Sequence, residues 1–177
     1  MTLALPLWAM VGGRRQAHIA RVTALVAEWA SAMGVPTVEA DRWRTAAALH
    51  DALRDAGPPD LSRWTPQGDW PLALWHGPAA AAAAAADGLD DDGILDAIRY
   101  HSVGWIRWDR AGQMLFMADF LEPGRSYHDA TLAALAARVP RDPDAALREV
   151  LERRVLWARA AGKPLRPETE ALWSHLG

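Results

Sequence analysis

RRQAHIARVTALVAEWASAMGVP, residues 14–36, decides the fold class. Its apolar residues Ala17, Ala20, Val22, Leu25, Val26 and Trp29 recur at roughly the 3.6-residue period of an α-helix. The run stops at Gly34 with Pro36 beyond, the usual chemistry of a helix C-terminus. Signals of the same kind return along the whole chain, whereas the apolar/polar alternation of a strand with one wet face does not. Further helices are expected from about Val38 to Arg54, directly after Gly77-Pro78, and at about Asp91–His101, Asp109–Leu121, Ser126–Arg138, Asp142–Ala161 and Pro167–His175. Asp142 reads as an N-cap with Pro143 at the first helical position. Asp55 to Pro71 holds four prolines and two glycines and is expected to be a surface loop. The eight alanines Ala79–Ala86 read as a helix packed closely against its neighbours, since alanine is the best helix former and adds little bulk. The expected class is all-α.

A chain of 177 residues suits one domain, with a core over about 14–125 and C-terminal helices over 126–177. Hydrophobic residues make up 51% and tryptophans number 10, enough apolar surface for a packed interior. Most tryptophans are expected in or near the core, with Trp105 and Trp108 flanking the site described below. The net charge of −3, with signs interspersed, gives no electrostatic case for nucleic acid or an anionic membrane. The apolar run Leu3–Val11 is short, contains Pro6 and lacks a preceding basic region, so neither a signal peptide nor a membrane span is expected, and the cytoplasm is the default location. With no cysteine, disulfides and thiolate metal sites are excluded, and any metal must be held by imidazole and carboxylate.

Candidate ligands of that kind occur in order. His18 lies on the first helix, His50-Asp51 near the end of the second, His76 just before the alanine helix, His101 at the end of DAIRYHS, and Asp119 inside the apolar MLFMADFLEP. Each has an ordinary structural explanation alone, such as a satisfied surface histidine or a helix-end histidine favoured by the dipole. Together they supply six residues able to bind two metal ions. Asp51 offers two oxygens, and Asp119 in an apolar helix needs a partner because an isolated buried charge is costly. His128 and His175 fall outside the set and are expected at the surface and near the chain end.

RRQAHIARV (14–22), AAALHDALRD (46–55), LWHGPAAAAAAAADGLDDDGILDAIRYHSVG (74–104) and MLFMADFLEPGR (114–125) together resemble the HD-domain metal-dependent phosphohydrolases. Within them the stretches resemble the YqeK-like symmetrical diadenosine tetraphosphate hydrolases. A weaker likeness continues in GKPLRPETEALW (162–173). The resemblance implies an HD-domain helical bundle. It implies His18, His50, Asp51 and Asp119 as ligands of a first metal, and His76, His101 and a bridging Asp51 as ligands of a second. Iron is the implied metal, with manganese or cobalt as substitutes.

The implied reaction is hydrolysis of a phosphoanhydride in a dinucleoside polyphosphate, diadenosine tetraphosphate to two ADP, by a metal-activated water. Asp51 and Arg54 are the expected catalytic residues. Arg54, three and four residues after Asp51 and His50, is expected on the same helical face as a phosphate contact; Arg15 and Arg125 stand at positions also basic in the family. The implied partner is a nucleotide, with no nucleic acid or membrane, and a homodimer is left open. Three departures concern the phosphates. Ser102 replaces a common threonine and keeps the hydroxyl, Trp105 stands where a basic residue often follows the motif glycine, and Gln113 stands where a lysine is frequent. Arg107 and Arg110 are the nearby candidates to replace the missing charge, and Trp105 is a candidate to stack on a base. The alternatives left open are another nucleotide substrate, a mono- or triphosphate, and a sensor that binds a nucleotide without hydrolysing it. A di-iron oxygenase shares the ligands but has no further sequence support.

Overall fold

The computed structural model describes residues 5–65 and 70–177, and among them the secondary structure is helical with no strand. The helices are α1 (Gly13–Ala32), α2 (Thr37–Leu49), α3 (Pro58–Leu61), α4 (His76–Ala86), α5 (Asp92–Tyr100), α6 (Arg110–Leu121), α7 (Ala130–Arg138), α8 (Pro143–Ala160) and α9 (Pro167–Leu176). A 3-10 turn at Leu72–Leu74 leads into α4. Residues 3–4 of the apolar N-terminal run and 66–69 of the expected loop lie outside the described residues.

α6 is the axis of the bundle. Ala111, Gly112, Met114 through Asp119 and Leu121 are all buried, so the helix is covered on every side. A helix apolar all round belongs in an interior, and α1, α2, α5, α7 and α8 pack around it. Val22, Val26 and Trp29 of α1, Trp43, Ala46 and Ala47 of α2 and Leu147, Val150 and Leu151 of α8 join α6 in one continuous core. Each large aliphatic side chain so buried contributes about 1.5–3 kcal/mol. Trp108 also belongs to this core. Its indole donates to Asp96 O at 3.1 Å, so it is not free to line a pocket.

The alanine helix packs as expected, with Ala79, Ala80, Ala81, Ala83 and Ala84 buried. At its start Gly77 permits a close approach, because a Cβ there would stand 2.7 Å from Arg99 O of α5. The start of α4 and the end of α5 are thereby brought together.

Several expected boundaries shift. α2 ends at Leu49 instead of Arg54; His50 is its C-cap, and the chain continues in tighter turns, Ala52 N to Leu49 O at 3.0 Å and Arg54 N to Asp51 O at 2.9 Å. His76 is the first residue of α4, not a residue ahead of it. The loop after Asp55 contains the short α3, begun by consecutive prolines whose fixed φ suits a first turn. α7 starts at Ala130, not Ser126, because Asp129 accepts a hydrogen bond from Leu132 N and caps the helix there. Asp142 caps α8 through Ala145 N with Pro143 following, as expected. His128 is half-buried, and His175 is exposed within α9.

Candidate metal centre

Five elements deliver the six candidate ligands to one point in the interior. His18 comes from α1, His50 and Asp51 from the end of α2, His76 from the first position of α4, His101 from the C-cap of α5, and Asp119 from the last turn of α6. All six are buried, Asp119 being the most exposed at 8%.

The Asp51 carboxylate is divided between two histidine pairs. Its Oδ2 lies 3.6 Å from both His18 Nε2 and His50 Nε2, while its Oδ1 lies 3.3 Å from His76 Nε2 and 3.5 Å from His101 Nε2. Within each pair the Nε2 atoms face each other, at 3.4 Å for His18 and His50 and 3.1 Å for His76 and His101. Asp119 Oδ1 joins the first pair, 3.1 Å from His18 Nε2 and 3.8 Å from His50 Nε2.

The tautomers follow from what stands behind each ring. Nδ1 of His50, His76 and His101 faces the main-chain carbonyl of Ala47 at 2.8 Å, Ala73 at 3.1 Å and Ile98 at 2.8 Å; a carbonyl can only accept, so each Nδ1 carries the proton. His18 Nδ1 instead meets the carboxylate of Glu122 at 3.0 Å. All four rings therefore turn an Nε2 lone pair inward. Facing lone pairs at such distances repel unless a cation or proton lies between them, and two sets of three donors, His18, His50 and Asp51 and then Asp51, His76 and His101, lie within reach of one ion each.

Protonation states agree with this. Burial pushes the His50 imidazole down to about 4 and lowers His76 as well, so both are neutral near pH 7. Burial pushes Asp51 up, but the neighbouring imidazoles of His50, His101 and His76 outweigh it and hold the carboxyl well below its ordinary range. Burial likewise opposes ionisation of Asp119, and the neighbouring His18 and the Arg125 charge overcome it. Neutral imidazole beside ionised carboxylate is the state in which these groups bind a divalent metal. The residues fit such ions.

Glu122 was not foreseen. It is 1% exposed, accepts from Arg21 Nε at 2.5 Å and from Gly124 N at 2.6 Å, and orients His18. A signal existed, since Glu122 follows Asp119, and Arg21 follows His18, by three residues, one turn along each helix.

The arginines expected at phosphates stand around the first pair. Arg15 Nη1 donates to Asp51 Oδ2 at 2.6 Å, and Arg125 donates to the Asp119 carboxylate and, through Nε, to Asp119 O at 2.9 Å. Both line a cleft of about 510 Å³ with Arg14, Arg21 and Tyr127, into which His18 opens. Arg54 donates to Ala73 O at 3.1 Å, behind His76; because α2 ends before it, its direction is set by the turn and not by a helical face. Ser102 Oγ lies 3.0 Å from His101 Nε2 and 3.4 Å from His76 Nε2. Trp105 is stacked on Tyr100 at 4.3 Å between ring centroids and 8° between planes, with the Arg107 guanidinium 5.6 Å from its ring.

The family model of the HD domain matches residues 15–138, well over half of the chain. The chain belongs to the HD domain family. This HD domain is 28% identical over 104 residues to a protein of Bacillus subtilis (strain 168) named symmetrical bis(5'-nucleosyl)-tetraphosphatase, covering 58% of this chain and 55% of that one. It is 37% identical over 54 residues to a protein of the same name from Staphylococcus aureus (strain NCTC 8325 / PS 47), covering 30% of this chain and 28% of that one. The matched stretches thus span about half or less of those relatives. A crystal structure from Clostridium acetobutylicum, described as a predicted HD superfamily hydrolase involved in NAD metabolism, shares the fold with a TM-score of 0.77 at 20% identity, covering 94% of this chain and 90% of that one. An HD domain carrying this histidine and aspartate cluster is suited to divalent metal binding. No helix among the described residues is long and apolar enough to cross a membrane.

Proposed function

We propose that the chain is a metal-dependent phosphohydrolase that cleaves a phosphoanhydride bond of a dinucleoside polyphosphate, splitting diadenosine tetraphosphate into two ADP. The observation that carries this reading is the division of Asp51 between two inward-facing histidine pairs, which matches what two ions sharing one carboxylate require. The names of the relatives support the choice of substrate.

His18, His50, Asp51 and Asp119 would hold one divalent ion, and His76, His101 and Asp51 the other; iron is our choice, with manganese or cobalt able to substitute. Bound there, such ions supply hydroxide from water near neutral pH and neutralise phosphate charge. The chain's own groups do the positioning. Four Nδ1–H donors fix the rings, Asp51 sets the spacing of the pairs, and the guanidinium groups of Arg15 and Arg125, now resting on Asp51 and Asp119, can turn to phosphate oxygens in the 510 Å³ cleft. Arg54 is proposed as a further phosphate contact, Ser102 as a hydroxyl donor beside the second pair, and Trp105 as the ring that holds Tyr100 in place. Water adds to an inner phosphorus, the bridging P–O bond breaks, and two ADP leave.

One domain over residues 1–177 suits the packing, since Leu132, Leu147, Val150 and Leu172 of the C-terminal helices share the core of α6. We place the reaction in the cytoplasm, which a cysteine-free chain suits.

The test is turnover by protein loaded with iron or manganese. ADP as sole product is expected. ATP with AMP would rule out symmetrical cleavage, and tight binding without turnover would favour the sensor.

A further inference from the structure

Arg154 on α8 lies outside the residues matched by the family model, yet it holds a residue that borders the metal centre. Its Nη2 donates to Ser102 O at 2.8 Å, and the Ser102 hydroxyl touches the second histidine pair. Its guanidinium lies 4.4 Å from the ring of Phe116, which precedes Asp119 by one turn of α6. The residue is only half-exposed, and among the described residues no carboxylate ion-pairs with it, although Arg15, Arg21 and Arg125 each have one. Burial lowers its proton affinity most, Asp119 and Tyr127 raise it, and Arg125 lowers it. Its guanidinium thus keeps donors that no carboxylate takes up among the described residues, on a side chain partly open to an incoming anion.

The two arginines nearest the uncharged positions Trp105 and Gln113 do not fill that need. Arg110 is paired with Asp144 at 2.7 Å, and Arg107 is exposed and lies over Trp105. We infer that Arg154 is a substrate-binding residue that holds a phosphate of the polyphosphate chain beside the His76 and His101 pair, supplying from α8 the charge that Trp105 and Gln113 lack.

This rests on the hydrolase reading, but it is tested without turnover. Inorganic pyrophosphate is titrated calorimetrically into zinc-loaded wild type, R154M and R154K, with metal content measured alongside. Pyrophosphate affinity is expected to fall about ten- to a hundredfold in R154M, as for one lost charge-assisted contact, to recover largely in R154K, and to leave metal content unchanged. In R154M carrying W105K, the relocated charge is expected to restore affinity, which a purely structural role for Arg154 would not allow. Equal affinity in wild type and R154M overturns the inference. Should R154M fail to fold, the guanidinium nitrogen resonance of Arg154 in wild type, assigned by its loss in R154K, is expected to shift on adding pyrophosphate, and an unmoved resonance overturns the inference. A chain that binds pyrophosphate through Arg154 but cleaves nothing leaves the inference standing and removes the hydrolase reading. An active chain indifferent to R154M does the reverse.

Discussion

The two halves of the metal centre are built from the same imidazole chemistry and differ in what surrounds it. The first, His18 and His50 with Asp119, is backed at His18 by the buried carboxylate of Glu122 and opens on a cleft of about 510 Å³ lined by Arg14, Arg15, Arg21 and Arg125. The second, His76 and His101, is backed only by main-chain carbonyls. Neither histidine lines the larger cleft or the smaller one of about 230 Å³, which their chain neighbours Trp75 and Tyr100 wall together with Trp70, Arg99 and Glu168. A carboxylate behind an imidazole makes the ring a stronger donor, whereas a carbonyl fixes the tautomer with less added basicity. The comparison teaches that one aspartate can face two unequal donor sets, the first with a carboxylate behind one ring and a rim rich in arginine.

Removing the shared residue breaks the comparison altogether. Asp51→Ala is expected to abolish turnover and to lower bound metal from two ions per chain to none, measured by elemental analysis; two ions retained would show that Asp51 does not bridge. Acid acts on both halves at once. His50 titrates in the folded chain near pH 4, below the ordinary histidine value of 6.5. The unfolded chain therefore binds the extra proton first, and stability present above about pH 6.5 is lost as pH falls towards 4, on the order of 3 kcal/mol from this group alone. Thermal melting of the metal-free chain from pH 7 to pH 4 should show the midpoint dropping, and a flat profile would mean His50 is not held neutral.

Gly77→Ala addresses the second half alone. A Cβ 2.7 Å from Arg99 O must push α4 from α5, so a loss of about 1–3 kcal/mol is expected, with His76 and His101 drawn apart. One ion should be lost while the other stays. Glu122→Gln does the converse, more gently: the neutral amide still accepts from His18 but no longer strengthens it. About a tenfold loss of affinity for one ion of the two is expected by calorimetric titration. Equal weakening of both would remove the asymmetry argued above.

Much of this was legible before folding. The 3.6-residue period, the cap at Asp142 and the alanine run specify helices because they act within a few residues along the chain. The six candidate ligands could be picked out because buried imidazole and carboxylate are costly without partners, and their order matched a known pattern. What was misread lay at element ends: Arg54 was given a helical direction that the turn after Leu49 denies it, and His76 was left outside a helix that it begins.

Sequence by itself determined the helical class, the donor types and the absence of thiolate, since these depend on residue chemistry and local spacing. Only the tertiary structure decided that Asp51 faces both histidine pairs, that Glu122 stands behind His18, and that an arginine 52 residues distant from Ser102 reaches its carbonyl. Those are distances between helices. They are set by how the side chains of α1, α2, α5 and α8 pack about α6, and no periodicity along one helix records them.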